Sequence, residues 1–184
     1  LAAGVAIATA VSFLRVVAIV AVIQPELLTL IGPTLGAAAA VAVGYALATI
    51  RWRAGDPSGD RATPDEFSNP FSFWPVVGFA IFLGAVILLG RYLGEAFGTG
   101  GALLGAAGLG LADVDSVTIA MARLFPAPLD RLGASEAILA AVVSNMVGKL
   151  VLATAIGRGR FAGEVAFVTM ACCLAGLTAL WAAL

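Results

Sequence analysis

Apolar residues in this chain run in long blocks, and the blocks have the length of membrane-spanning helices. A helix needs about 20 mainly apolar residues to cross a bilayer core of about 30 Å. Six stretches reach or approach that length: residues 1–23, 27–50, 73–97, 98–125, 135–157 and 161–184. The pattern predicts one all-α integral membrane domain over residues 1–184 with about six transmembrane helices. Between the first two stretches, Gln24-Pro25-Glu26 predicts a tight turn, because proline ends a helix at the residue before it. Pro33, beside Gly32, is a candidate kink near the start of the second.

Polar residues concentrate in one interval. Residues 51–72 hold Arg51, Arg53, Asp56, Asp60, Arg61, Asp65 and Glu66 among Pro, Gly and Ser, and read as the longest solvent-exposed loop, closed by Asn69-Pro70-Phe71. Trp74 and Tyr92 flank the third stretch where interfacial aromatics belong, and Arg91 and Glu95 can pair one helical turn apart. Ser135 followed by Glu136 reads as the N-cap and first turn of the fifth stretch. Arg158-Gly159-Arg160 reads as a short turn into the last.

The fourth stretch departs from the pattern. Gly98, Gly100, Gly101, Gly105, Gly108 and Gly110 precede Asp113-Val114-Asp115-Ser116-Val117-Thr118. Gly101, Gly105 and Gly108 are candidates for close helix packing, since a small-xxx-small face lets backbones approach. Each Gly also weakens a helix by nearly 1 kcal/mol relative to Ala. Asp113 is a good N-cap for a new helix with Asp115 in its first turn. The stretch therefore reads as two half-helices, about 100–111 and 114–124, broken at the aspartates. The six spans divide three and three, which permits an inverted 3+3 repeat as in several transporter folds. Lys and Arg counts favour both termini on the cytoplasmic side, with Arg51, Arg53, Arg61, Arg123 and Arg131 against Arg91, Arg158 and Arg160.

Composition sharpens this. The chain is 61% hydrophobic and 11% charged, with mean hydropathy +1.06, whereas soluble domains carry about 25% charged residues. Net charge is −1, so nothing points to nucleic acid. There is no His, and the only cysteines, Cys172 and Cys173, are adjacent in an apolar run without metal-ligand spacing. The first block is too long for a cleavable signal peptide and lacks a basic leader. The start at Leu1 without Met reads as a fragment of a longer protein.

An ionised Asp at mid-bilayer costs roughly 2.5–3.5 kcal/mol on insertion scales, so two of them need a partner, water or an ion. Arg15 with Ser12, Asp113 with Asp115, Ser116 and Thr118, and Ser144 with Asn145 and Lys149 lie near the middle of three stretches. Hard oxygens from Asp113, Asp115, Ser116, Thr118, Ser144 and Asn145 suit a proton or a small cation such as Mg²⁺ or Ca²⁺, with Asp113 and Asp115 as metal ligands and Arg15 and Lys149 as counter-charges. Two other readings stand beside it. The four charges neutralise one another and glue three helices together, or the half-helix N-terminus takes an anion. Gly108-Leu-Gly110 lacks the βαβ setting of a nucleotide site. No nucleophile–base arrangement assembles, so an enzyme is not expected.

Gly108-Leu-Gly-Leu-Ala-Asp113-Val-Asp115-Ser-Val-Thr118, Ser144-Asn-Met-Val-Gly-Lys149, Phe13-Leu-Arg15-Val and Asn69-Pro-Phe71 together resemble the C-terminal membrane domain of MgtC/SapB-type bacterial proteins, domain of unknown function 4010. The resemblance spans nearly the whole chain. It implies a multi-pass protein of the bacterial inner membrane, preceded in full-length members by an MgtC-like domain, with a link to magnesium but no assigned activity. The expected function is a channel or transporter for a small ion, with that ion as substrate and no certain cofactor. A homodimer in the lipid bilayer is the expected assembly. The alternative is a non-transporting module that binds another membrane protein.

Overall fold

A computed structural model describes residues 2–54, 81, 100–101, 103–127, 129–156 and 160–183. Among these, all regular structure is helical. Helix α1 spans Ala2–Ile23, and a 3-10 turn at Pro25–Leu27 leads into α2, Leu28–Ala54. Residues 103–110 form α3, followed by α4 at Val114–Arg123, α5 at Arg131–Ile156 and α6 at Arg160–Ala183. Among the described residues, four stretches are long and apolar enough to cross a membrane: Ala3–Ile23, Pro25–Trp52, Arg131–Thr154 and Phe161–Ala183. The expected span at 73–97 lies outside the described residues apart from residue 81, and Trp74, Tyr92, Arg91 and Glu95 lie outside them too.

The α1–α2 turn forms where proline dictates. Gln24 N–H still reaches the Val20 carbonyl at 2.8 Å, and Leu27 N–H then closes the turn on the Gln24 carbonyl at 3.1 Å. The Leu27 side chain, fully buried, plugs the base of the hairpin. Above it Val16, Val20, Ile31 and Leu35 fill the α1–α2 seam. Further along, small residues (Ala38, Ala42 and Ala46) let α2 sit close to its neighbours. Inside a bilayer such packing, rather than water exclusion, holds helices together.

Helix α6 packs on the other side of α2 in a readable register. The Gly176 Cα lies where an added Cβ would stand 3.4 Å from the Thr34 carbonyl oxygen. The buried Cys172 Sγ donates to the Ala38 carbonyl at 3.4 Å, and the rings of Tyr45 and Phe167 lie 6.3 Å apart. As α2 numbers rise, α6 numbers fall, so the two run antiparallel. An apolar cavity of about 280 Å³ lies among α1, α2, α5 and α6, lined by Phe13, Leu35, Leu139, Met146 and Leu180.

These registers fix the relative directions of the described helices. Helix α6 is antiparallel to α2, and α2 to α1, so α6 runs parallel to α1. Among the described residues, Ala2 and Ala183 therefore lie at opposite ends of the helix bundle, Ala183 at the end that carries the Gln24–Leu27 turn. Helix α4 also runs parallel to α1: Arg15 meets Asp115, and Gln24 Nε2 donates to the Phe125 carbonyl at 3.2 Å. An inverted 3+3 repeat would set these two corresponding helices antiparallel, so the described helices oppose that relation.

One expectation is corrected at the start of α5. Asp130, not Ser135, stands before its first turn, and the Asp130 carboxylate accepts from Gly133 N–H at 2.9 Å. The earlier start carries Ser135 into the helix, where its side chain is buried and its Oγ has no partner among the described residues.

The intramembrane charge site

The site is built where the α3 and α4 helices fail to join. Leu109 O accepts from both Ala112 N–H and Asp113 N–H at 2.9 Å, which winds the chain out of α3. Asp113 then takes an extended backbone (φ −153°, ψ 103°) and caps α4. One of its carboxylate oxygens accepts from Asp115 N–H at 3.0 Å and the other from the Ser116 hydroxyl. Both oxygens of Asp113 are thus engaged with the start of its own helix, which satisfies orphan donors that a bilayer could not.

The α1–α4 register sets the level of Asp115 in the bundle. Phe125 marks the end of α1 through Gln24, and Asp115 lies ten residues before it. At 1.5 Å per residue that is about 15 Å along the helix axis. Arg15 precedes Gln24 by nine residues and so reaches the same level. Its guanidinium meets Asp115 Oδ2 at 2.7 Å, a strong charge-assisted contact. The partners differ in setting: the Arg15 side chain is 61% exposed and that of Asp115 is 23% exposed. The second oxygen, Asp115 Oδ1, is buried and has no hydrogen-bond partner among the described residues.

Helix α5 closes the site from the other side. Asn145 Nδ2 donates to the Gly110 carbonyl at 3.3 Å. Lys149, half-buried one turn further on, lies within electrostatic reach of Asp115 and Arg15 but makes no ion pair among the described residues. Ser144 is half-buried. Thr118 is fully buried and donates its hydroxyl to the Val114 carbonyl of its own helix at 2.8 Å. Ser12 is half-buried on α1. Gly101 and Gly105 are buried, whereas Gly108 has open space where a Cβ would stand.

The structure thus brings together Arg15, Asp113, Asp115 and Ser116, with Asn145 and Lys149 beside them. Thr118 turns its hydroxyl into its helix. Among the described residues no group of three or more Asp, Glu or Cys side chains assembles that could hold a metal ion. Sequence reasoning missed Gly110. An added Cβ there would lie 2.5 Å from both Cα and O of Ala141. Its one readable signal was a glycine as the last residue of a half-helix.

A family model described as Domain of unknown function (DUF4010) matches residues 1–157. No curated protein and no solved structure matches the chain.

Proposed function

From a chain that belongs to the DUF4010 family, a domain of unknown function, and from the geometry of the break, we propose that this protein moves a small cation across a membrane. Asp115 is the carboxylate the ion meets. One observation carries the reading. About 15 Å from the Gln24 level, half of a hydrocarbon core of about 30 Å, Asp115 presents a buried oxygen without a hydrogen-bond partner among the described residues, while its other oxygen is held by Arg15. An unmatched anionic acceptor in such a place is costly unless a cation, a proton or water visits it. Discontinuous helices with polar groups at their ends are how many transporters build ion sites at the midplane. Arg15 and Lys149 act as resident counter-charges that balance the site when it is empty. Magnesium enters through the resemblance to MgtC/SapB-type proteins, which also supports a bacterial inner membrane as the location.

Direction belongs to this proposal. Arg51, Arg53 and Arg160 mark the face on which α1 begins, and Arg123 and Arg131 mark the other. By the positive-inside rule, the N-terminal end of α1 is cytoplasmic and the C-terminal end of α6 is on the outer face. A homodimer completes the reading, since so few helices enclose little interior of their own.

The test is ion uptake into proteoliposomes containing the purified protein, read with trapped indicators for Mg²⁺ and for protons. Uptake above that of empty vesicles for at least one cation is the expected result. Uptake equal to empty vesicles for every ion tried contradicts the proposal.

A second reading has its own observation. On α6, Phe167, Met170, Leu174, Leu177 and Trp181 are all well exposed and spaced alternately by three and four residues. That is the spacing of a helix–helix seam, and it favours a module that binds another membrane helix. Water reaching Asp115 separates the two readings, because a binding module keeps the charges dry and paired.

A further inference from the structure

We propose that Asn145 is a positioning residue that bolts the carbonyl end of α3 to α5 and so sets where the break opens onto Asp115; this rests on the cation reading above. A broken helix in a bilayer must satisfy the carbonyls its break exposes, because lipid offers no donor. Here the local chain supplies only part of the need. Leu109 O takes two N–H groups from Ala112 and Asp113. The next carbonyl, that of Gly110, is met from 35 residues away by Asn145 Nδ2.

The contact is closely fitted. Asn145 and Ala141 are four residues apart and share one face of α5. A Cβ on residue 110 would lie 2.5 Å from the Ala141 Cα and carbonyl oxygen and 2.8 Å from its carbonyl carbon. All three are backbone atoms, so no rotamer change gives way, and trimming Ala141 to Gly frees nothing. On the same helix Gly148 leaves room for the Leu111 side chain, whose Cδ2 would stand 3.3 Å from a Cβ there. Glycine at 110 permits the approach, and Asn145 fastens it. On the far side of Leu111 and Ala112, Arg15 holds Asp115 from α1. The two ends of the break are therefore fixed by different helices, and the spacing between the α3 carbonyl end and the Asp115 carboxylate depends on the Asn145 hydrogen bond.

The experiment compares Asn145→Leu, which keeps the bulk and loses the donor, with Asn145→Gln, which keeps a donor. Two quantities are read beside a thermal melt: the cation concentration giving half-maximal uptake, and the rate at which Ala112→Cys, in a Cys172→Ala/Cys173→Ala background, reacts with a membrane-impermeant thiol reagent. Asn145→Leu should raise the half-maximal concentration about fivefold to tenfold, the loss of one hydrogen bond. It should change the labelling rate at residue 112 by a similar factor while lowering the melt by no more than about 2–4 °C, and Asn145→Gln should recover most of both. Unchanged half-maximal concentration and labelling in Asn145→Leu overturn the proposal, as does equal damage in both variants. If Asn145→Leu does not fold, Asn145→Ser, whose hydroxyl is too short to span the gap, takes its place under the same criteria. If the wild type carries no ion, the cation reading fails, and the labelling comparison alone still decides whether Asn145 holds the break.

Discussion

At the scale of single residues, the Arg15–Asp115 pair decides how the charges are tolerated. Exposed ion pairs contribute about 0–1 kcal/mol, whereas stranding one partner of a buried pair costs about 3–5 kcal/mol. This pair is asymmetric, with Asp115 mostly buried and Arg15 mostly exposed. Arg15→Ala should therefore cost about 1–3 kcal/mol, between those limits. Removing the stranded charge as well, in Arg15→Ala/Asp115→Asn, should recover most of that loss in a detergent melt. A double variant no more stable than Arg15→Ala alone would mean the pair contributes little. The sequence placed Arg15 and Lys149 as equal partners for the aspartates. It did not say which would pair, because depth on three separate helices is set by their packing. Nothing in the spacing of Asn145 and Lys149 reveals that α4 runs beside α1.

At the scale of elements, the break between α3 and α4 was legible and its fastening was not. Six glycines and then Asp113 weaken one helix and cap the next, and these are local effects of a few neighbouring residues. The half-helices at 103–110 and Val114–Arg123 follow that pattern. Proline likewise foretold the end of α1 at Ile23. The start of α5 was misplaced because Asp130 and Ser135 are both good caps, and local preference alone does not choose between them. The glycine that matters most for packing at the break is Gly110, whose importance lies in the Ala141 backbone facing it. Chain direction was hidden for the same reason: a span reads alike in either sense. Asp113 offers a clean separation of cap from charge. Asp113→Ala loses both acceptor bonds and should cost about 0.5–2 kcal/mol, while Asp113→Asn keeps an acceptor and should cost a few tenths. If Asp113 serves only as a cap, Asp113→Asn will also retain full ion uptake. If its charge belongs to the pathway, Asp113→Asn will melt like wild type yet lose uptake.

At the scale of the whole molecule, α1, α4 and α6 run parallel, and under the proposed membrane reading the two ends of the chain fall on opposite faces of the bilayer. A reporter that is active only outside the cytoplasm, fused after Leu184, should therefore be active, and the same reporter fused after Ala54 should be silent. Activity at both positions, or at neither, contradicts this arrangement. The helices set Asp115 between a counter-charge on α1 and the α5 face that carries Asn145 and Lys149. The central claim is that a cation meets Asp115 there, at the oxygen that Arg15 does not hold. Uptake by Asp115→Asn, measured beside its melt in the same detergent preparation, tests it most directly. Asparagine keeps the shape and an acceptor for Arg15 but removes the charge, so the variant should fold, with a melting temperature lowered by only a few degrees, and carry at least tenfold less cation. A folded Asp115→Asn protein that transports like wild type would contradict the account.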